Sequence, residues 1–173
     1  MKDVMLDIEA IDTRPTSAIM QIAACYFDRK SGKIGKTFFE NIDLKSCIQK
    51  GLTVSGDTLY WWFEQSDNAR MSMIKKPRGK IENVLKRFKT FTKDAETIWC
   101  HATYDFPIIN NAMVVCGIKP MNFLSARDIR TVADLAGIKV RDFKREGVHH
   151  TALDDCKFQV EYVKHAIDKI FNR

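Results

Sequence analysis

Two acids placed two residues apart in an otherwise apolar segment constrain this chain more than anything else in it. Val4-Met5-Leu6-Asp7-Ile8-Glu9 has the composition of a short strand. A strand projects residues i and i+2 from the same face, so Asp7 and Glu9 stand side by side. Their mutual repulsion and loss of hydration cost free energy unless something positive lies between them. A divalent cation answers that need, and an oxygen-rich pair suits Mg²⁺ or Mn²⁺. The alternative is a solvated edge strand on which both acids are harmless.

Patterning downstream sets the fold class. Ile19 to Phe27 and Lys36 to Ile42 read as two further strands joined by the turn-rich Asp28–Gly35 segment. Short helices are expected over Asp43–Lys50, Thr58–Gln65 and Asp67–Ile74, with Gly51 as a C-cap and Ser66 as an N-cap. Ile81, Val84, Leu85, Phe88 and Phe91 recur at helical spacing, predicting an amphipathic helix within residues 79–93. Thr97–His101 reads as a strand, Asp105–Cys116 as a helix closed by Gly117, and Phe123–Ala126 as a fifth strand. A helix to about Ala136, a charged loop over residues 139–149 and a long helix from Thr151 to Phe171 complete the chain. Three strands followed by strand–helix alternation indicate an α/β domain with a mixed sheet.

The chain has 173 residues, 45% of them hydrophobic, which fits one domain over residues 1–173 with a substantial core. No run approaches the roughly 18 consecutive apolar residues of a membrane span. The N-terminal segment reaches Asp3 too soon for a secretory signal. The five cysteines are widely spaced with no C-x-x-C pair, so a reducing cytoplasm is expected, that of a host cell if a phage encodes the chain. Net charge is +6, and residues 75–93 hold eight bases against one acid, a local +7 that accounts for the whole surplus. Such a stretch can steer a polyanion or simply be a solvated lysine face.

Two more acidic elements stand later in the chain. In Trp99-Cys100-His101-Ala102-Thr103-Tyr104-Asp105, the acid lies where a strand gives way to a helix, which is where α/β ligand sites gather, although an N-cap would also suit it. In His149-His150-Thr151-Ala152-Leu153-Asp154-Asp155-Cys156, His150 precedes a helix whose buried stripe includes Cys156, Gln159, Val163 and Ile167 and brings Asp155 towards the core.

Together, Asp7-x-Glu9, Tyr104-Asp105 and His150-x-Ala152-Leu153-x-Asp155 resemble the three motifs of the DEDDh, or DnaQ-like, 3′–5′ exonucleases, in order and in spacing. The resemblance implies a ribonuclease H-like fold, with a mixed five-stranded sheet flanked by helices. It implies hydrolysis of the terminal phosphodiester by two Mg²⁺ or Mn²⁺ ions, roughly 3.5–4 Å apart. Asp7 would bridge both ions, Glu9 and Asp155 would complete the first, and Asp105 would help hold the second. His150 would be the general base, and the product a nucleoside 5′-monophosphate. Leu6–Ala10, Thr58–Ser66 and Arg127–Thr131 look like a smaller subgroup, the phage exonuclease A type and related bacterial exoribonucleases acting on adenylate-rich RNA. One departure is His101, where family members often carry Asn. The expected partner is the 3′ end of single-stranded RNA or DNA, and the family is compatible with a homodimer.

Tyr60-Trp61-Trp62-Phe63 offers rings on which bases can stack, although core packing should claim at least two of the four. Either Trp61 or Trp62 is expected to pack inside. Tyr104, Arg130, Gln65 and Arg70 complete the expected substrate contacts. Two rival readings are a non-catalytic nucleic-acid-binding module that keeps the fold, and a structural protein with a basic docking helix.

Overall fold

In the computed structural model, which describes residues 1–171, β1 (Asp3–Ala10) is buried along its whole length and lies inside a six-stranded sheet. The order is β4-β3-β2-β1-β5-β6, built from β2 (Ile19–Phe27), β3 (Ile34–Ile42), β4 (Arg78–Gly79), β5 (Thr97–Cys100) and β6 (Ala126–Asp128). β1 and β3 each pair antiparallel with β2, whereas β5 runs parallel to β1 and β6 parallel to β5. The sheet is mixed, as expected, and carries one strand more than the five anticipated. The extra strand is β4, two residues at the N-terminal edge of the basic stretch that pair with Asn41 and Ile42. A two-residue strand has no periodicity to read.

Alternation along β1 splits the core. Val4, Leu6, Ile8 and Ala10 face one side, where they join Ile81, Val84, Leu85 and Phe88 of α4 (Ile81–Phe91) and Ile108, Ile109 and Ala112 of α5 (Asp105–Val115). Met5 faces the other side, with Cys156, Val160 and Val163 of α7 (Ala152–Phe171) and Ile129 and Ala133 of α6 (Ile129–Leu135). Asp7 and Glu9 share the parity of Met5 and so point towards α7 rather than to solvent. Their cross-strand partners on β2 are Ala23 and Gln21, a small residue and an uncharged one.

The remaining helices are α1 (Leu44–Gln49), α2 (Gly56–Phe63) and α3 (Asp67–Ile74), the last two capped by Ser55 and Ser66. α2 begins two residues before the expected Thr58, because Ser55 accepts from the Thr58 N–H and starts the helix early. Phe123–Ser125 form a 3-10 turn, and only Ala126–Asp128 pair as β6. No helix among the described residues is long and apolar enough to cross a membrane. Four of the five cysteines are buried and all are free.

Candidate active site

The carboxyl ends of β1 and β5 and the start of α7 meet at a cavity of about 540 Å³. Asp7, Glu9, Asp105 and Asp155 line it together with His150, Trp61, Trp62, Tyr104 and Arg130. Residues from the two ends of the chain thus share one concave site, as parallel α/β edges favour.

All four acids are buried. Burial pushes the Asp7 carboxyl well above the usual range, and the charges of Asp105, Glu9 and Asp155 push it further. Glu9 is raised well above its ordinary value for the same reasons, against a partial offset from Arg145. Asp105 is raised to about 8, chiefly by burial, although the His101 N–H donates to its Oδ2 at 2.8 Å. Asp155 is raised by burial despite an ion pair with Arg145 and a 3.1 Å hydrogen bond from the His150 N–H. Glu9 Oε1 is buried with no hydrogen-bond partner. Clustered, desolvated and partly orphaned oxygens are a donor set for a hard divalent cation. The ligand atoms fall into two groups, Asp7/His101/Asp105 and Glu9/His150/Asp155, within each of which all lie inside 4.8 Å of one another.

Local structure explains each position. Asp105 opens α5, but its carboxylate is bonded to the backbone of His101 instead of capping its own helix, for which Tyr104 is the N-cap residue. The Tyr104 hydroxyl donates to the Asp12 carbonyl at 3.3 Å, tying the start of α5 to the chain after β1. Asp128 caps α6 through the Thr131 N–H at 2.8 Å and accepts from the Ala102 N–H at 2.9 Å. It therefore anchors the strand end that carries His101.

His150 stands apart from the acids in character. It is the one non-glycine residue among those described with positive φ, 61°, a left-handed conformation that costs about 1–3 kcal/mol and persists only where its surroundings hold it. Here they do. Its ring stacks on His149 at 3.8 Å between centroids and meets Trp61 edge-on at 4.9 Å. Burial, His149 and Arg145 lower its pKa to about 4, so the ring is neutral at physiological pH and able to take a proton. Asp154, next to Asp155, accepts from the Val148 N–H at 3.0 Å and closes the loop against Gly147, where φ is +82° and a Cβ would lie 2.6 Å from the Asp154 carboxyl carbon.

One of the two tryptophans packs inside, as expected, but core packing claims one ring of the four and not at least two. Only one face of the short helix α2 meets the core, and Tyr60 and Phe63 stay exposed on the others. Trp62 is 3% exposed and donates from Nε1 to the Ala10 carbonyl at 3.0 Å, whereas Trp61 is 42% exposed on the cavity wall. Arg130 lines the cavity from α6. Gln65 and Arg70 do not line it. Gln65 Nε2 donates to the Trp61 carbonyl at 2.8 Å, and the Arg70 guanidinium binds Asp67 and the Phe63 carbonyl. Arg70 ties α3 to the end of α2, and Gln65, in the turn between them, closes back on α2.

Three residues join the site that the motifs did not assign to it. Gln159, one turn after Asp155 on the buried stripe of α7, donates from Nε2 to Asp7 Oδ1 at 2.7 Å and leaves its own Oε1 unpaired. A polar residue within an apolar stripe was the signal. Arg145 reaches from the loop to Asp155, with its guanidinium 4.2 Å over the Phe158 ring. His101 stands beside Asp105.

Residues 2–167 match the family described as the 3′–5′ exoribonuclease Rv2179c-like domain. The chain belongs to that family. It is by family a 3′–5′ exonuclease and hydrolase with a ribonuclease H-like DEDDh fold. Among solved structures, the nuclease domain of 3′hExo, a DEDDh member bound to rAMP, superposes with a TM-score of 0.66 at 13% identity, over 96% of this chain and 91% of that one. Cell-death related nuclease 4 gives 0.65 at 15% identity, over 96% and 63%. E. coli exonuclease I in complex with a dA16 oligonucleotide gives 0.66 at 12% identity, over 96% and 40%. The chain thus spans less than two thirds of the last two. No curated protein matches it.

Proposed function

We propose that this Rv2179c-like domain removes nucleotides one at a time from the 3′ end of single-stranded RNA, releasing nucleoside 5′-monophosphates. The carrying observation is the cavity itself: four buried carboxylates, an orphaned Glu9 oxygen, a neutral His150 and a half-exposed Trp61 on one wall. The family description supports RNA as substrate. Leu6–Ala10, Thr58–Ser66 and Arg127–Thr131 support kinship with the phage exonuclease A type and the bacterial enzymes that trim adenylate-rich RNA.

Asp7, Glu9, Asp105 and Asp155 would hold two Mg²⁺ or Mn²⁺ ions. When bound, the ions supply neutralisation of the scissile phosphate and acidification of the attacking water. The protein's own groups do the rest. His150 takes the proton from the water, its unprotonated ring having a nitrogen lone pair to accept it. Trp61 stacks the terminal base, and Arg130 approaches the phosphates from α6. Trp62 holds the wall in place through Ala10, and Gln159 orients Asp7.

The test is a 5′-labelled single-stranded RNA and a DNA of equal sequence, each incubated with Mg²⁺ or Mn²⁺. A ladder that shortens from the 3′ end of the RNA, with mononucleotide release, is expected. An intact RNA in both metals, or internal cuts, would overturn the reading.

A further inference from the structure

His101 occupies a place in the cleft that four carboxylates do not by themselves require. Asp7, His101 and Asp105 offer ligand atoms within 4.8 Å of one another, and all three side chains line the cavity. We propose that His101 is a direct nitrogen ligand of the cation held by Asp7 and Asp105, and that it makes this position favour Mn²⁺ over Mg²⁺. The proposal rests on the metal-dependent reading above and adds to it the identity of one donor and a metal preference.

The imidazole is placed, yet it is not engaged. The His101 backbone N–H binds Asp105 Oδ2 at 2.8 Å, which fixes the ring beside that carboxylate. Ring Nδ1 lies 3.7 Å from the same oxygen, beyond hydrogen-bond range. Neither ring nitrogen has a hydrogen-bond partner among the described residues. A ring nitrogen lies within 4.8 Å of a carboxylate oxygen of Asp7 and of one of Asp105, close enough for the three to share one cation.

A second observation points to a ligand in the same cavity, which Gln159 also lines. Gln159 is 4% exposed, bonds Asp7 through Nε2, and leaves Oε1 with no partner. An orphaned acceptor, two desolvated carboxylates and a free imidazole nitrogen together make a mixed oxygen–nitrogen set. Mg²⁺ prefers all-oxygen, near-octahedral sites with several waters retained. Imidazole raises affinity along the first-row series, so the mixed set ranks Mn²⁺ above Mg²⁺. A histidine that merely packed against Asp105 would bond to that acid and confer no such preference.

Electron spin echo spectroscopy of the Mn²⁺-loaded protein reads the bond directly. Nitrogen modulation is expected in the unaltered protein, to persist in His150→Asn and to vanish in His101→Asn. Labelling the unaltered protein with ¹⁵N-histidine should convert the ¹⁴N pattern. In competition by Mg²⁺ against bound Mn²⁺, His101→Asn should cut the preference for Mn²⁺ by about tenfold or more, and His101→Gln provides a second variant should the first not fold. Bound Mn²⁺ without nitrogen modulation, or modulation that survives in a folded His101 variant, overturns the role of His101 and leaves the exonuclease reading standing. Failure of Mn²⁺ to bind at all overturns both.

Discussion

The two ends of β1 treat a buried carboxylate in opposite ways. At its start, Asp3 is surrounded by donors: Arg29 Nε at 2.9 Å, Trp99 Nε1 at 3.0 Å, and Thr97. Burial alone would raise the Asp3 pKa, but these hydrogen bonds and the Arg29 charge outweigh it and hold the carboxyl below its usual range. At the other end, Asp7 and Glu9 face other acids and are raised well above theirs. One strand therefore carries a finished structural ion pair and an unfinished cluster. A carboxylate kept for stability brings its cation with it in the chain; one kept for chemistry leaves the cation's place open.

Asp7→Asn gives the largest effect and should separate the two ends most sharply. Hydrolysis should fall below detection, while the metal-free melting temperature rises, because a buried like charge is removed from beside Glu9, Asp105 and Asp155. Nucleotide release and thermal unfolding in chelator measure the two. A variant that loses activity and also melts lower without metal would show that Asp7 contributes to folding as Asp3 does.

His150→Ala comes next, with a loss of about 10²–10⁴-fold in turnover, typical of removing a general base. Divalent-metal stabilisation of the fold should survive, since the four acids remain. Loss of that stabilisation would move His150 from proton handling to metal ligation, which its place near Glu9 and Asp155 makes a real alternative.

Asp3→Ala inverts the pattern of Asp7→Asn. It leaves the Trp99 N–H, the Thr97 hydroxyl and the Arg29 guanidinium without their acceptor, which costs about 1–3 kcal/mol, or about 2–4 °C in melting temperature per kcal/mol at this chain length. Turnover per folded molecule should stay unchanged, because Asp3 lies at the far end of the strand from the cavity. Reduced turnover at full folding would break the distinction between the ends.

These contrasts also explain what could be read from sequence. Strand parity put Asp7 and Glu9 together, and the apolar stripe of α7 turned Asp155 inward, because both follow from repeat geometry. Asp105 was legible as the acid at a strand–helix junction, but its bond to the His101 backbone was not, since it depends on the turn between them. Gln159 stood on that same readable stripe of α7 and only its bond to Asp7 was hidden, whereas Arg145 and the ring of His101 reach the site through tertiary packing that no local period encodes. Gln65 and Arg70 were placed by proximity to the aromatic run, and their hydrogen bonds close on α2 and α3 instead. The +7 stretch supplied a two-residue edge strand and the outer face of α4, with none of its bases in the acidic cavity.

The smallest effect expected is a pH dependence of metal-free stability, and its sign distinguishes the two ends of β1 without any mutation. Asp105 is raised to about 8 from an ordinary value near 4, so between those limits the folded state binds more protons than the unfolded one. Stability contributed by that protonated acid is present at low pH and is lost as pH rises towards 8. His101 and His150 are lowered to about 4, so they act oppositely between about 4 and their ordinary value of 6.5, where stability rises with pH. Above 6.5 the histidines are mostly neutral in both states and the more numerous raised acids dominate the difference. Asp3, held below its usual value, loses its contribution only as pH falls through that lowered value and adds nothing here. The metal-free melting temperature should therefore fall as pH rises from about 6.5 to 8, and saturating Mn²⁺ should abolish the fall by pairing with the ionised acids. Asp105→Asn should reduce the slope of the metal-free profile without abolishing it, since Asp7 and Glu9 remain, and Asp3→Ala should leave it intact. A profile already flat in the unaltered protein would mean that the cluster keeps its charge without a metal, and that a cation from the chain, Arg145 foremost, completes it as Arg29 completes Asp3.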